Sequence, residues 1–175
     1  MNNQKNLNYK IRPGTQTDIQ SIENLFEHIT AQRNKQLEIP EQLTHDHVAF
    51  VVNSALQNGL IFVAEDTNQI IGSVLAYAEK AEDIDHILSE LSIAVHPEHQ
   101  RQGIGRALMC HLLHEVQAKH QNIMCVELTV RTSNVHALQL YQSLGFKKEA
   151  GQQETDSADP DILMVWDNPT FINTF

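Results

Sequence analysis

Residues 95–106 read Val95-His96-Pro97-Glu98-His99-Gln100-Arg101-Gln102-Gly103-Ile104-Gly105-Arg106. A β-rich apolar run, residues 91–95, leads into this stretch. Beyond it Ile104, Leu108, Leu112 and Val116 step by four, with Met109 and Leu113 beside them. That spacing predicts an amphipathic helix of about four turns. A loop running from a strand into a helix start is an anion site by construction. The first N–H groups have no partner inside the helix, the helix dipole favours negative charge there, and glycines at 103 and 105 let a phosphate approach the backbone. Arg101 and Arg106 add ionic and hydrogen-bonding contacts.

Working outward, Met124, Val126, Leu128 and Val130 alternate with Cys125, Glu127, Thr129 and Arg131, the period of a half-buried strand. Residues 91–130 therefore form a strand-helix-strand crossover, expected to be right-handed with its two strands parallel. Upstream, Pro13-Gly14 marks a turn and Thr15-x-x-Asp18 reads as a capping box opening a helix with Ile19, Ile22, Phe26 and Ile29 on one side. Thr44 is the expected N-cap of a second helix, stopped by Gly59. Runs 60–64 and 70–77 predict a hairpin with a five-residue connection, 65–69. Downstream, a short helix carries Ala137, Leu138, Tyr141 and Leu144, and strands begin at 146 and 162. The fold class is mixed α/β: about six to seven strands, mostly antiparallel with one parallel pair, and helices on both faces. One domain spans 1–175, with 1–8 and 168–175 as flexible tails.

Composition limits the function classes. At 175 residues, one core suffices to bury roughly 70% of the surface of the unfolded chain. Hydrophobic residues at 41% and charged residues at 19% describe an ordinary globular protein. A net charge of −10 opposes nucleic-acid binding and suits a cationic partner. Two cysteines, Cys110 and Cys125, form no disulfide framework. The polar N-terminus and the lack of a run near ~18 apolar residues give no signal peptide or membrane span, so a cytoplasmic protein is expected.

Spacing separates the readings of the 95–106 loop. Walker A needs a Lys-Ser/Thr pair that the loop lacks, and a Rossmann fingerprint needs a third glycine where Leu108 stands. The run Gln100-Arg101-Gln102-Gly103-Ile104-Gly105 resembles instead the Q/R-x-x-G-x-G/A signature of the GNAT superfamily of N-acetyltransferases. Asn134-Val135-His136-Ala137-Leu138-Gln139-Leu140-Tyr141-Gln142-Ser143-Leu144-Gly145-Phe146 looks like the second GNAT signature, N-x-x-A-x-x-L-Y-x-x-x-G-F, with Arg131 before it. The close match covers residues 91–148, and its central segment looks most like ribosomal-protein alanine N-acetyltransferases.

The resemblance implies acetyl-CoA as co-substrate, no metal, and a primary amine as acceptor, attacked directly in a ternary complex. It implies that the two parallel strands splay apart around the pantetheine arm. Backbone groups of Ile93, Ala94 and Val95 would bond the arm, aided by a bulge in that strand. The loop residues Arg101, Gln102, Gly103, Ile104, Gly105 and Arg106 would hold the pyrophosphate, and Asn134 would meet the arm from the other side. Tyr141 is the implied general acid: a phenol of pKa ~10 stays protonated at neutral pH and can donate to a leaving thiolate of pKa ~8.5. The base is open. Where the resembled proteins carry a Glu before V-R, this chain has Thr129, which has no useful basicity; Glu127 on the same strand face and Glu90 before the first parallel strand are the candidates.

Other features carry less. His45-x-His47 and His111-x-x-His114 have ligand-pair spacing without a third ligand, and Cys125 has no local cysteine-enzyme signature. The acidic run 154–161 would draw a cationic acceptor, so a small cationic amine ranks first and a peptide or protein N-terminus second. Phe171 and Phe175 in the C-terminal tail would suit a homodimer contact. Two rival classes remain: a sensor or interaction module that binds acetyl-CoA without turnover, and a nicotinamide-dependent oxidoreductase.

Overall fold

Alternating apolar runs and periodic helices resolve into two four-stranded sheets with helices packed against them. The structure, a computed structural model, describes residues 9–33, 45–78, 86–149 and 158–171. β1 (Lys10–Pro13) precedes a 3-10 turn, Gln16–Asp18, that runs into α1 (Ile19–Arg33). α2 (His45–Asn58) leads to β2 (Gly59–Asp66) and β3 (Gln69–Tyr77). β4 (Ile87–Leu88) and β5 (Glu90–Val95) then precede α3 (Ile104–Lys119), β6 (Cys125–Arg131), α4 (Val135–Ser143), β7 (Lys147–Lys148) and β8 (Asp161–Asp167).

The mixed α/β class is as expected, but among the described residues the strands number eight and divide between two sheets, ordered β1-β2-β3-β5 and β4-β6-β8-β7. The parallel pairing of the crossover lies upstream of the expected position. Ile87 pairs with Cys125 and Leu88 with Val126, whereas β5 is bonded antiparallel to β3 along its whole length. The chain changes sheets at Ser89. The expected bulge in residues 93–95 is not there, since the β3–β5 register runs unbroken from Gly72↔Val95 to Tyr77↔Glu90. The irregularity falls in the neighbouring β2–β3 pair, where Ile71 is skipped between the rungs Ala64↔Gly72 and Glu65↔Ile70. The hairpin connection shrinks from five residues to Thr67-Asn68, both at positive φ (48° and 66°), because polar Glu65, Asp66 and Gln69 extend the ladder. Positive φ at both central residues is the pattern of the primed turns that match strand twist.

Helices cover both faces of the first sheet. α1 and α2 pack Ile22, Leu25, Val48, Val52 and Ala55 against Ile61, Val63, Ile70 and Leu75. On the other face, α3 buries Ile104, Leu108, Met109, Leu112, Leu113 and Val116 in a core shared with β6, Tyr141, Phe146 and Trp166. Gly72 is what lets α3 approach: a Cβ there would sit 3.0 Å from Leu108 Cδ1 and 3.1 Å from Ile104 Cγ2. The capping box forms, and its acid does more than cap. Asp18 accepts from Thr15 N–H at 2.8 Å and takes a bidentate pair from Arg12 at 2.8 and 2.9 Å, tying α1 to β1. Arg12 also donates to Glu65 on β2 at 3.1 Å.

At the C-terminus the segment 168–171, expected to open a flexible tail, is docked. Asn168 is buried, donates from its amide to Ile123 O at 2.8 Å, and has its backbone N–H on Met124 O. Thr170 Oγ1 reaches Gln117 O at 3.0 Å and the Phe171 ring lies 6.4 Å from that of His86. Residues 1–8, 172–175 and Thr44 lie outside the described residues. Among the described residues no helix is long and apolar enough to cross a membrane.

Two stability outcomes follow from this packing. Leu112→Ala, at a position with no exposure, should cost about 3 kcal/mol in urea unfolding, from lost transfer energy plus the cavity left behind. Asp18→Ala should cost about 2 kcal/mol by removing the bidentate pair to Arg12, which keeps Glu65, and by leaving the Thr15 N–H without its acceptor. Arg12 holds the Asp18 carboxyl below its usual range. Its contribution is therefore complete above the unfolded carboxyl value of about 4 and is lost as pH falls through the lower folded value. Acid titration of wild type and Asp18→Ala should show that difference vanish at low pH.

Candidate active site

β5 is an edge strand, and its chemistry follows from which way its amides point. His96 N–H donates to Ile71 O at 2.8 Å across the β3 pairing. Successive backbone groups alternate direction, so those of Ala94 and Ser92 also face β3, while those of Ile93 and Val95 face away from it. On that open side β6 has already diverged. A cavity of about 820 Å³ lies along the strand. It brings together Glu90, Ile93, Ala94 and Val95 of the predicted site with Gln100 and Arg131. β3 adds Leu75 and Tyr77, and α1 and α2 add Phe26, Ile29, Thr30, His47, Val48 and Val51. These helix residues escaped the sequence reading because apolar side chains at helical spacing are the ordinary mark of a core face. Nothing local distinguishes a cavity wall from a buried one. His47, considered above only as half of a ligand pair, is a wall residue.

At the far end of β5 the chain makes a 3-10 turn, Pro97–His99, and enters α3 through a loop in unusual backbone conformations. Gly103 has φ +83°, ψ −2°, and Arg101 has φ +59°. A Cβ at Gly103 would meet nothing within 4 Å, so the glycine serves the left-handed backbone and leaves open space over the helix start. Ala107 N–H to Gly103 O at 2.9 Å is the first bond of the helix. The N–H groups of Ile104, Gly105 and Arg106 precede it and have no acceptor in the helix. Gln100 and Gln102 brace the loop, Nε2 of each donating to Val95 O (3.1 Å) and Glu98 O (2.9 Å). Arg101 is exposed at the rim, whereas the Arg106 guanidinium donates to Ser143 Oγ on α4 at 2.7 Å. Under the loop, His96 Nδ1 accepts from Glu98 N–H at 3.3 Å, which requires a neutral ring. Burial, then the neighbouring His28 and His99, push its pKa down and favour that form.

Tyr141 and Asn134 come from α4. Asn134 caps the helix, its side-chain oxygen accepting from Ala137 N–H at 3.3 Å, which leaves its amide nitrogen for another partner. Tyr141 is buried in the core that also holds Ile93 and Val95, with its ring 5.8 Å from Phe146. Burial raises its phenol above the ordinary value. Tyr141, Asn134, Glu127 and the 101–106 loop are not among the residues lining the cavity. Glu127 sits beside Cys125, whose thiol lies 3.9 Å from its carboxylate. Burial, with Glu127 adding to it, pushes the Cys125 thiol up to about 11, so it is held as a thiol and makes a poor nucleophile. Among the described residues no group of histidines, cysteines and carboxylates is arranged to hold a metal ion.

Comparison with known proteins bears on this arrangement. Residues 57–148 match the model of the acetyltransferase (GNAT) domain. The chain is similar to the [ribosomal protein bS18]-alanine N-acetyltransferase of Escherichia coli K12, 40% identical over 78 residues. That stretch is 42% of this chain and 51% of the relative, so the chain spans about half the length of the first curated relatives it matches. It is also similar to an N-alpha-acetyltransferase of Sulfurisphaera tokodaii, 28% identical over 151 residues, 82% of this chain and 83% of that one. In fold it resembles yncA of Salmonella typhimurium, solved with its cofactor acetyl-CoA, with TM-score 0.70 and 20% identity over 91% of this chain and 93% of that one. The matched domain spans more than half of the chain and takes in β5, the Gly103 loop and the helix from Asn134 to Tyr141, and the chain belongs to the GNAT acetyltransferase family.

Proposed function

We propose that the protein transfers the acetyl group of acetyl-CoA to an α-amino group, with a peptide or protein N-terminus as the favoured acceptor. The observation that carries this reading is the cavity along β5. One end of the strand leads to the Gly103 helix start, suited to a pyrophosphate, and the other end carries Glu90 beneath an apolar wall from α1 and α2. A thioester laid along the open edge of β5 meets an acceptor entering beside Glu90.

The ranking of acceptors moves relative to the sequence reading. A small cationic amine was favoured for the acidic run 154–161, of which 154–157 lie outside the described residues. The two acids described there are engaged: Asp159 accepts from Thr132 and Ser133, and Asp161 lies 4.0 Å from Arg131. The cavity wall from α1 and α2 is built of Phe26, Ile29, Val48 and Val51 with Thr30 and His47, a surface that takes an apolar side chain and offers no carboxylate to a polycation. Relatives named a [ribosomal protein bS18]-alanine N-acetyltransferase and an N-alpha-acetyltransferase support the same choice.

The chemistry assigns one role to each group. Glu90 takes a proton from the substrate ammonium, directly or through water, and the free amine attacks the thioester carbonyl. A backbone N–H on the open side of β5, Ile93 or Val95, bonds the oxyanion. The C–N bond forms, the C–S bond breaks, and Tyr141 gives its proton to the departing thiolate; the attacking nitrogen gives up its second proton through water to reprotonate Tyr141, and Glu90 returns the first to solvent. The raised phenol pKa keeps Tyr141 protonated until it is needed. Glu90 is preferred to Glu127 because it lines the cavity and Glu127 does not.

Calorimetric titration with acetyl-CoA, followed by thiol release with N-terminal peptides, free amino acids and a polyamine, tests the reading. Release with peptides is expected; release only with the polyamine restores the cationic amine, and binding without release for any acceptor class supports the sensor. Tyr141→Phe should lower kcat by about a hundredfold, in the range of lost acid catalysis, while acetyl-CoA still binds. Glu90→Gln should likewise lower kcat by about a hundredfold at neutral pH, and Glu127→Gln should stay within about threefold of wild type. The reverse pattern would move the base to Glu127.

A further inference from the structure

The start of α4 is fixed by a residue from a distant part of the chain. The β6–β8 ladder ends at the rung Arg131↔Asp161, and α4 begins after Asn134, so residues 132 and 133 lie beyond the last strand bond. They are held by one carboxylate. Asp159 Oδ1 accepts from Thr132 Oγ1 at 2.9 Å and from Ser133 N–H at 2.8 Å, and its Oδ2 accepts from Ser133 Oγ at 2.7 Å. The next residue continues the grip, Thr132 N–H donating to Pro160 O at 3.0 Å. The turn so formed delivers Asn134 N–H to Arg131 O at 3.0 Å and aims the Asn134 side chain at the cap of α4. The Ser133 and Thr132 donors hold the Asp159 carboxyl below its usual range, so the clamp stays ionised at neutral pH.

We propose that Asp159 is a positioning residue for acetyl-CoA: acting through Thr132 and Ser133, it fixes the placement of Asn134 and the first turn of α4. This rests on the reading of the protein as an acetyl-CoA-dependent transferase and on the contact with the pantetheine arm that the GNAT resemblance implies for Asn134. The same carboxylate joins two parts of the site, because Asp159 belongs to the segment entering β8 while its partners belong to the turn between β6 and α4. A half-buried carboxylate thereby holds the turn that opens the helix carrying Tyr141. The interaction is geometric as well as charged. An asparagine at 159 keeps one oxygen for Thr132 Oγ1 and Ser133 N–H, and its amide nitrogen can donate to Ser133 Oγ.

The test is the dissociation constant of acetyl-CoA, by calorimetry on the full chain, for wild type, Asp159→Ala, Asp159→Asn, Ser133→Ala and Asn134→Ala, with thermal unfolding of each. Asp159→Ala should weaken binding by about tenfold. Asp159→Asn should recover to within about threefold of wild type, and Ser133→Ala, which keeps its backbone N–H bond, should fall between. The unfolding midpoint should not track these affinities. Two results overturn the clamp: Asp159→Ala binding like wild type while Asn134→Ala binds weakly, or Asp159→Asn binding as poorly as Asp159→Ala. Wild-type affinity in Asn134→Ala would remove the assignment of Asn134 and the clamp with it. Because no acceptor enters this assay, failure of the proposed acceptor class is read separately, in the thiol-release screen.

Discussion

The site depends on the parting of two strands at Ser89. Upstream, Ile87 and Leu88 are bonded in parallel to β6; downstream, β5 is bonded only to β3 and belongs to a different sheet. A sheet edge carries backbone donors and acceptors that need partners, and an interior edge cannot leave them bare. The groups of Ile93 and Val95 that face away from β3 therefore line a groove that a polar, extended ligand can complete. Were β5 paired with β6 along its whole length, the same residues would make an ordinary closed sheet.

Packing fixes the start of α3 beside the end of β5. α3 covers one face of the first sheet with Leu108, Met109, Leu112 and Val116, fully buried in a core that also takes in Val126, Leu128 and Val130 of β6. The helix whose first N–H groups have no helical acceptor is thus also a main support of the core. Gly72 allows its close approach, and Gly103 gives it a start with open space above the first N–H groups. On the other face α1 and α2 serve a second core and, past its edge, lend Phe26, Ile29, Val48 and Val51 to the cavity. One arrangement of helices accounts for both stability and the two ends of the site.

Electrostatics is spent locally. Arg12 is absorbed by Asp18 and Glu65, Arg106 is turned to Ser143, and Asp159 is occupied by the turn before α4. The net charge of −10 therefore says little about the acceptor: Asp159 and Asp161, the described acids of the 154–161 run, already have partners of their own. The cavity along β5 has Glu90 as its one lining carboxylate among the described residues.

The sequence by itself determined the local elements and the family. Period-four apolar residues specify α3, strict alternation specifies β6, Thr15 and Asp18 specify the start of the first helix, and the two glycines after Gln100 mark the anion loop. Each of these signals is written within one segment, because it reflects what neighbouring residues do to the same stretch of backbone. Only the tertiary structure decided where the strands part, since Ile87 and Leu88 gain meaning by pairing with Cys125 and Val126 far along the chain. The same holds for Glu90 and Glu127, two carboxylates on strands that periodicity treats alike, of which the fold sets Glu90 in the cavity lining and leaves Glu127 out of it. It holds also for Phe26 and Val51, apolar residues of amphipathic helices until packing leaves them at the edge of a core rather than inside it. Pairing and burial across distant segments depend on where the whole chain puts its surfaces, and no local pattern encodes that.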